Sequence, residues 1–262
     1  MIRALYTAAS GMSAQQTNLD TIANNLANSA TTGFHQRQVQ FEDMIYQNLV
    51  TPGSAETQQT LSAGLQVGLG TKSAASEVIM TQGDFNQTGN TLDLAIQGAG
   101  FFQVSMPNGT IAYTRAGNFQ VNNQGTIVTA DGNTVLPAIT IPSNATSVTI
   151  SQYGVITATI PGQTNPAQLG TMQLATFVNP GGLNSTGGNL LQQTESSGNP
   201  ITDVPGGNTG MGTLQQGYLE NSNVGVVAEF VQMILAQRAY ESNSKVIHVA
   251  DDMYSQINGL IR

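Results

Sequence analysis

The sequence predicts an α+β fold: long N- and C-terminal α-helices pairing as a coiled-coil-like core layer, with a central, mainly antiparallel β domain of barrel or sandwich type. Three observations carry this. Residues 1–30 contain no proline and one glycine, Gly11, and residues 226–257 contain neither, whereas all nine prolines lie between about 52 and 225. Apolar residues recur at helical spacing at both ends. Short β-prone runs separated by turn residues fill the middle.

At the N-terminus, Ile2, Leu5, Ala9, Met12, Gln16, Leu19, Ala23 and Leu26 alternate at intervals of three and four, with Ile22 beside them. That spacing lines up a narrow seam on one helix, the pattern of a coiled-coil contact. Gly33 before Phe34 is placed to stop the helix. The expected rod is about 40 Å long at 1.5 Å per residue. An N-terminal assembly helix over 1–34 then gives way to a partly extended connector over 35–75. Its stretch from Tyr46 to Lys72 carries Pro52-Gly53 and three more glycines. A connector of that length is either functional or a floppy linker.

A β domain follows over 76–221. Phe101–Met106 and Ile111–Arg115 flank Pro107-Asn108-Gly109, and Asn-Gly between β-prone runs is a hairpin signal because both residues tolerate positive φ. Further runs at 118–121, 125–129, 135–141, 148–151, 155–160 and 168–178 are separated by Asp131-Gly132, Pro142, Tyr153-Gly154 and Pro161-Gly162. Residues 179–213, rich in Gly, Asn, Ser and Thr, read as long surface loops. A C-terminal assembly helix over 222–262 closes the chain, with Ser222 or Asn223 as its cap. Its stripe runs through Ala228, Val231, Leu235, Ala239, Ser242, Val246, Val249, Met253, Ile257 and Leu260, and a second stripe through Phe230, Ile234, Tyr240, Ile247, Tyr254 and Ile261.

Composition removes several functions. Seven Lys and Arg face fifteen Asp and Glu, a formal charge of −8, and neither Lys nor Arg occurs between Arg115 and Arg238. A nucleic-acid surface needs basic side chains to displace counterions from phosphates, so that partner is excluded. There are no cysteines for disulfides, thiolate catalysis or zinc ribbons. No apolar run is long enough to span a membrane, and the N-terminus lacks the apolar core of a cleavable signal.

Candidate chemistry is thin. Gly68-Leu69-Gly70-Thr71-Lys72-Ser73 breaks the phosphate-loop pattern at Thr71. Asp251 and Asp252 are helix neighbours pointing about 100° apart, as expected on a solvated face. His35 and His248 have no partner at a catalytic or metal-ligating spacing. No catalytic, metal or cofactor residue is expected, and the chain reads as a non-enzyme.

The terminal stripes remain. They either fold back as a helical hairpin onto their own β domain, or they overhang it and meet other copies, as exposed apolar stripes commonly do.

The residues now in view resemble a family. Ala9-Ser10-Gly11-Met12-Ser13-Ala14-Gln15-Gln16 and Leu19-Asp20-Thr21-Ile22-Ala23-Asn24-Asn25-Leu26-Ala27-Asn28, running into Thr32-Gly33-Phe34, are similar to the N-terminal motif of bacterial flagellar basal-body rod and hook proteins. Gly98-Ala99-Gly100-Phe101-Phe102, Tyr113-Thr114-Arg115 and Gly117 resemble the central motif. Gln216–Val224 and Gln237–Lys245 resemble the C-terminal one. Length and the 46–72 connector, a rod-specific stretch on this resemblance, point to the distal-rod members. His35 departs from the family pattern, where Lys is common.

The resemblance implies a structural subunit that polymerises with itself into a helical tube, passing torque from motor to hook and enclosing the export channel. Asn24, Asn25, Asn28, Gly33 and Phe34 would be motif residues of the N-terminal assembly segment. The implied partners are other copies, proximal rod proteins, the hook protein and the surrounding ring bushing. The implied location is the periplasmic part of the basal body, reached by flagellar type III export without a cleaved signal. The alternatives are another rod or hook subunit, or a secreted β-rich binding module.

Overall fold

In the computed structural model, which describes residues 2–50, 55–56, 59–60, 64–163, 165–207 and 209–260, the chain divides into two compact units. One comprises Met1–Ala27, Arg37–Val78 and Gly225–Arg262; the other comprises Asn28–Gln36 and Ile79–Val224.

The first unit is built on helices α1, Ile2–Ala27, and α2, Val226–Leu260. α1 ends six residues before Gly33. Asn28 turns the chain there: its carbonyl accepts the Thr31 amide at 3.0 Å and its side-chain oxygen accepts the Thr31 hydroxyl at 3.1 Å. Local side-chain bonds of this kind compete with helix continuation. The helices pack along one another, and between them in sequence lie two antiparallel ladders. Arg37–Asp43 pairs with Thr71–Val78, and Tyr46–Val50 with Leu65–Gly68. Much of the connector is therefore a two-stranded ribbon; Pro52-Gly53 lies outside the described residues. The ribbon leaves Phe41, Met44, Ile45, Tyr46, Leu49 and Leu65 exposed.

The second unit is antiparallel β structure. The expected hairpin forms, with Phe101–Ser105 paired to Ile111–Thr114. Phe101–Ser105 also pairs with Thr134–Leu136 and Leu174–Thr176, within a nine-stranded sheet. Successive strand residues point to opposite faces, yet Phe101 and Phe102 are both buried. Phe102 joins Leu94, Ile96, Phe119, Ile156, Met172 and Leu174 in the main core, while Phe101 packs with Tyr113, Phe177 and Leu183. Both faces of this strand are thus covered.

Two sequence readings need correction. The single run at 168–178 is two strands, Ala167–Thr171 and Leu174–Thr176. It breaks where the Met172 amide turns to the Gly154 carbonyl at 2.8 Å. The stretch 179–213 is not only loop: it holds strands Asn184–Gly187, Leu190–Gln192 and Ile201–Asp203. Ladder bonds are backbone bonds, so Asn- and Ser-rich chain can pair once buried Leu183 and Leu190 anchor it.

Candidate assembly interface

α1 and α2 pack on one another, and among the described residues four of their seven buried side chains are alanines. The buried positions on α1 are Ala8, Ala14, Ile22 and Asn25; those on α2 are Glu229, Ala236 and Ala250. Of the expected N-terminal seam, Ile22 is buried, Leu5, Met12, Leu19 and Leu26 are half-buried, and Ala9 and Ala23 are exposed. On α2, Ala239 is half-buried, whereas Ala228, Val231, Leu235, Val246, Val249, Met253 and Ile257 are exposed. The side chains of Ile2 and Leu260 lie outside the described residues. The face of α2 that packs on α1 is displaced by one residue from the stripe, a rotation of about 100°.

The stripe is therefore left open. Val227 is 78% exposed and Leu235 62%, with Phe230, Val231 and Ile234 beside them. From Val226 to Gln237 the one charged residue is Glu229, which is buried. An uncharged apolar surface of this kind is costly to leave in water, at about 25 cal/mol per Å², and it repels no neighbouring copy electrostatically.

Asn25, in the last turns of α1, holds the start of the ribbon. Its Oδ1 accepts the Arg37 amide at 2.9 Å and its Nδ2 donates to the Arg37 carbonyl at 2.8 Å. The side-chain amide thus acts as one rung of a β ladder. Asn24, by contrast, is exposed.

In the β unit, the other motif residues converge. Arg115 and Glu220 form a buried ion pair at 3.2 Å. Arg115 also donates from Nη2 to the Gly98 carbonyl at 2.7 Å and from Nη1 to the Ile96 carbonyl at 3.3 Å, and it lies 5.4 Å from the centre of the Phe101 ring. Glu220 Oε1 accepts the Gly83 amide at 3.1 Å. Burial pushes the Glu220 carboxyl upward against the pull of Arg115, and lowers Arg115 against the pull of Glu220.

The turn around Gly33 docks here. Its amide donates to the Glu220 carbonyl at 2.8 Å, its φ is +66°, and a Cβ would sit 2.6 Å from the Ala116 nitrogen. Only glycine fits. Phe34 is half-buried, and its carbonyl accepts the Asn223 amide at 3.4 Å. Asn223, expected as a possible helix cap, lies three residues before α2 and is instead a clamp: Oδ1 accepts the Gln36 amide at 2.7 Å, and Nδ2 donates to the Ile79 and Thr81 carbonyls at 2.8 and 2.9 Å. His35 is buried beside this network with neither ring nitrogen hydrogen-bonded among the described residues. Burial first, and Arg115 second, depress its pKa from 6.5 to about 4.

This geometry is a set of structural clamps. Among the described residues no three His, Cys, Asp or Glu side chains gather to hold a metal. Asp251, Asp252 and His248 are exposed on α2, and Thr71–Ser73 opens an antiparallel strand rather than leading into a helix. Among the same residues no helix is long and apolar enough to cross a membrane. Sequence reading placed Arg115 and Glu220 in separate motifs and missed their pairing. It also missed Asn25 with Glu229, since polar partners 204 positions apart leave no periodic signal.

Three family models match the chain: "Flagella basal body rod protein" over residues 5–35, "Flagellar hook protein FlgE/F/G D1 domain" over 95–158, and "Flagellar basal body rod FlgEFG protein C-terminal" over 215–260. Among curated relatives, the flagellar basal-body rod protein FlgG of Buchnera aphidicola is 47% identical over 261 residues, covering 99% of this chain and 100% of its own. FlgG of Borreliella burgdorferi is 47% identical over 265 residues, covering 100% of both. FlgG of Caulobacter vibrioides is 48% identical over 254 residues, covering 96% of this chain and 97% of its own.

Proposed function

The chain belongs to the flagellar basal-body rod protein family, and we propose that its exposed helical stripes are the surfaces on which copies stack into the tube of the distal rod. It is a structural flagellar subunit and not an enzyme. The observation that carries the assembly reading is the open, uncharged apolar face of α2 from Val227 to Leu235, continued by Val246, Val249, Met253 and Ile257. In the tube, α1 and α2 pair as a coiled-coil-like layer, and the β unit is of barrel or sandwich type. Torque passes along the helices from motor to hook, and later subunits pass through the lumen.

The ribbon between Arg37 and Val78 packs against neighbouring copies and stiffens the tube. A two-stranded ribbon is marginal alone in water, and its exposed Ile45, Tyr46, Leu49 and Leu65 call for a cover. The axial neighbours are proximal rod and hook proteins, with the ring bushing around the outside. The working position is the periplasmic segment of the flagellum, reached through the type III export path.

Electron microscopy of the purified full-length chain tests the reading. Tubes or stacked rings at high concentration support it. A persistently monomeric chain whose α2 stripe is covered by its own residues overturns it.

A further inference from the structure

Two contacts pin α1 against α2, and we propose that Gly11–Asn243 and Asn25–Glu229 set the register in which the terminal helices pair. At the first, a Cβ on Gly11 would lie 2.8 Å from Asn243 Nδ2, so the Asn243 amide occupies the notch that the missing side chain leaves. At the second, Asn25 Nδ2 donates to Glu229 Oε1 at 3.4 Å, with both residues buried. Gly11 and Asn25 stand two heptads apart on α1, and Asn243 and Glu229 two heptads apart on α2 in the reverse order. The helices are therefore antiparallel and in step from one pin to the other.

The rest of the contact carries little register information. Its buried residues include Ala8, Ala14, Ala236 and Ala250, and a methyl side chain makes few contacts that a slip of one heptad would break. The pins do not slip. One direction places Asn243 over Asn18 and parts Asn25 from Glu229, against Ala236. The other places Asn243 over Ala4 and Glu229 against Asn18. Asn18 offers the carboxylate a substitute donor there, so the Gly11 notch is what discriminates. Asn25 cannot follow a slip either, because its amide already holds the Arg37 backbone at 2.8 and 2.9 Å. A polar residue in an apolar helix seam is an established way of specifying alignment at some cost in stability. Glycine is the poorest helix former after proline, so its place in mid-α1 makes sense as a notch.

Register decides which part of the α2 stripe stands beside α1, and that consequence rests on the assembly reading above; the pins themselves are tested without it. The chain has no cysteine, so introduced pairs report cleanly. Gln15→Cys with Ala239→Cys matches the observed register; Gln15→Cys with Val246→Cys, or with Gln232→Cys, matches a slip of one heptad either way. Disulfide trapping in the full-length chain draws on whichever pairings form, so the ratio is readable even where helices fray.

The matched pair is expected to trap about tenfold faster than either slipped pair, and Gly11→Ala or Asn243→Ala to erase most of that preference. Combining Gly11→Ala with Glu229→Ala erases it altogether. Equal trapping of all three pairs in the unaltered background overturns the proposal. So does a preference unchanged by Gly11→Ala, which helix propensity alone would strengthen. Microscopy of the same samples separates the two readings: correct trapping without tubes removes the assembly role and leaves the pins standing.

Discussion

The two units spend apolar residues in opposite ways. The β unit buries large ones: Phe102, Phe119, Leu94, Ile96, Ile156, Met172 and Leu174 are all at most 2% exposed. Each is worth about 1.5–3 kcal/mol when removed from water. The helical unit joins its helices largely through alanine methyls, worth less than about 1 kcal/mol each, and leaves Val227, Phe230, Val231, Ile234 and Leu235 in solvent. Ordering a residue costs roughly 1–2 kcal/mol. The β unit can offset that cost with its own core, whereas the helical unit has little buried apolar surface with which to do so.

Proteolysis gives the largest contrast. In the monomer, trypsin should cut fastest at Arg3 and Lys245, on helices whose contact buries little apolar surface, and next at Arg37, whose backbone Asn25 holds. The stretch from Ala116 to Gln237 offers no site, so a β-unit fragment accumulates. In assembled tubes the same three sites should be protected by orders of magnitude. Equal protection in both states would mean that the helix pair is stable alone.

Next in size is the effect of a charge on each helix's assembly surface. Ile257→Lys on the exposed α2 stripe, or Leu26→Asp at half-buried Leu26 on α1, should abolish tubes, since an unpaired charge in an apolar contact costs several kcal/mol per copy. Circular dichroism and thermal melting of the β unit should not move. Tubes of normal length from either variant would exclude that surface.

The opposite perturbation breaks the β unit and leaves the stripes intact. Arg115→Met removes one partner of a buried pair and leaves the Glu220 carboxyl buried beside the Gly83 amide without its counter-charge. Breaking a buried ion pair from one side typically costs about 3–5 kcal/mol. Chemical denaturation should therefore shift strongly for the β unit, and Glu220→Gln, which keeps a hydrogen-bonding group in place, should shift it less. A small effect from Arg115→Met would show that the pair contributes little to the unit.

How much of this was legible in the sequence follows from range. Both helices, the Asn108-Gly109 hairpin and the turn-rich centre were readable because periodicity and turn chemistry are local. The positions of the stripes were readable too, but not which face each helix turns to the other: α2 packs through Glu229, Ala236 and Ala250, one step round from the residues that periodicity selects. Periodicity finds the greasiest face, and in this chain that face is open. The ribbon at 37–78 and the strands within 184–203 were hidden because their pairing is made by backbone groups, with few apolar alternations to announce it. Gly11 was visible as the one glycine of the first thirty residues, but its partner was 232 positions away.

The smallest expected effect belongs to His35, and it separates the units by pH. Its folded pKa is about 4 against 6.5 when unfolded. Between those values the unfolded chain holds a proton that the folded β unit does not, so stability rises with pH across the window. The contribution is complete above pH 6.5 and is lost as pH falls toward 4, amounting to at most about 3 kcal/mol. Glu220, whose carboxyl is raised by burial, works in the opposite sense. The net slope of the unaltered chain is therefore shallower than that of His35 alone. The difference between that chain and His35→Leu isolates the histidine, because leucine keeps the site filled and removes the titration. Denaturation midpoints of the β unit should diverge between the two chains as pH drops from 6.5 to 4, with His35→Leu losing less. Parallel midpoints across that window would mean that His35 finds a proton-accepting partner on acidification and is not held neutral by burial.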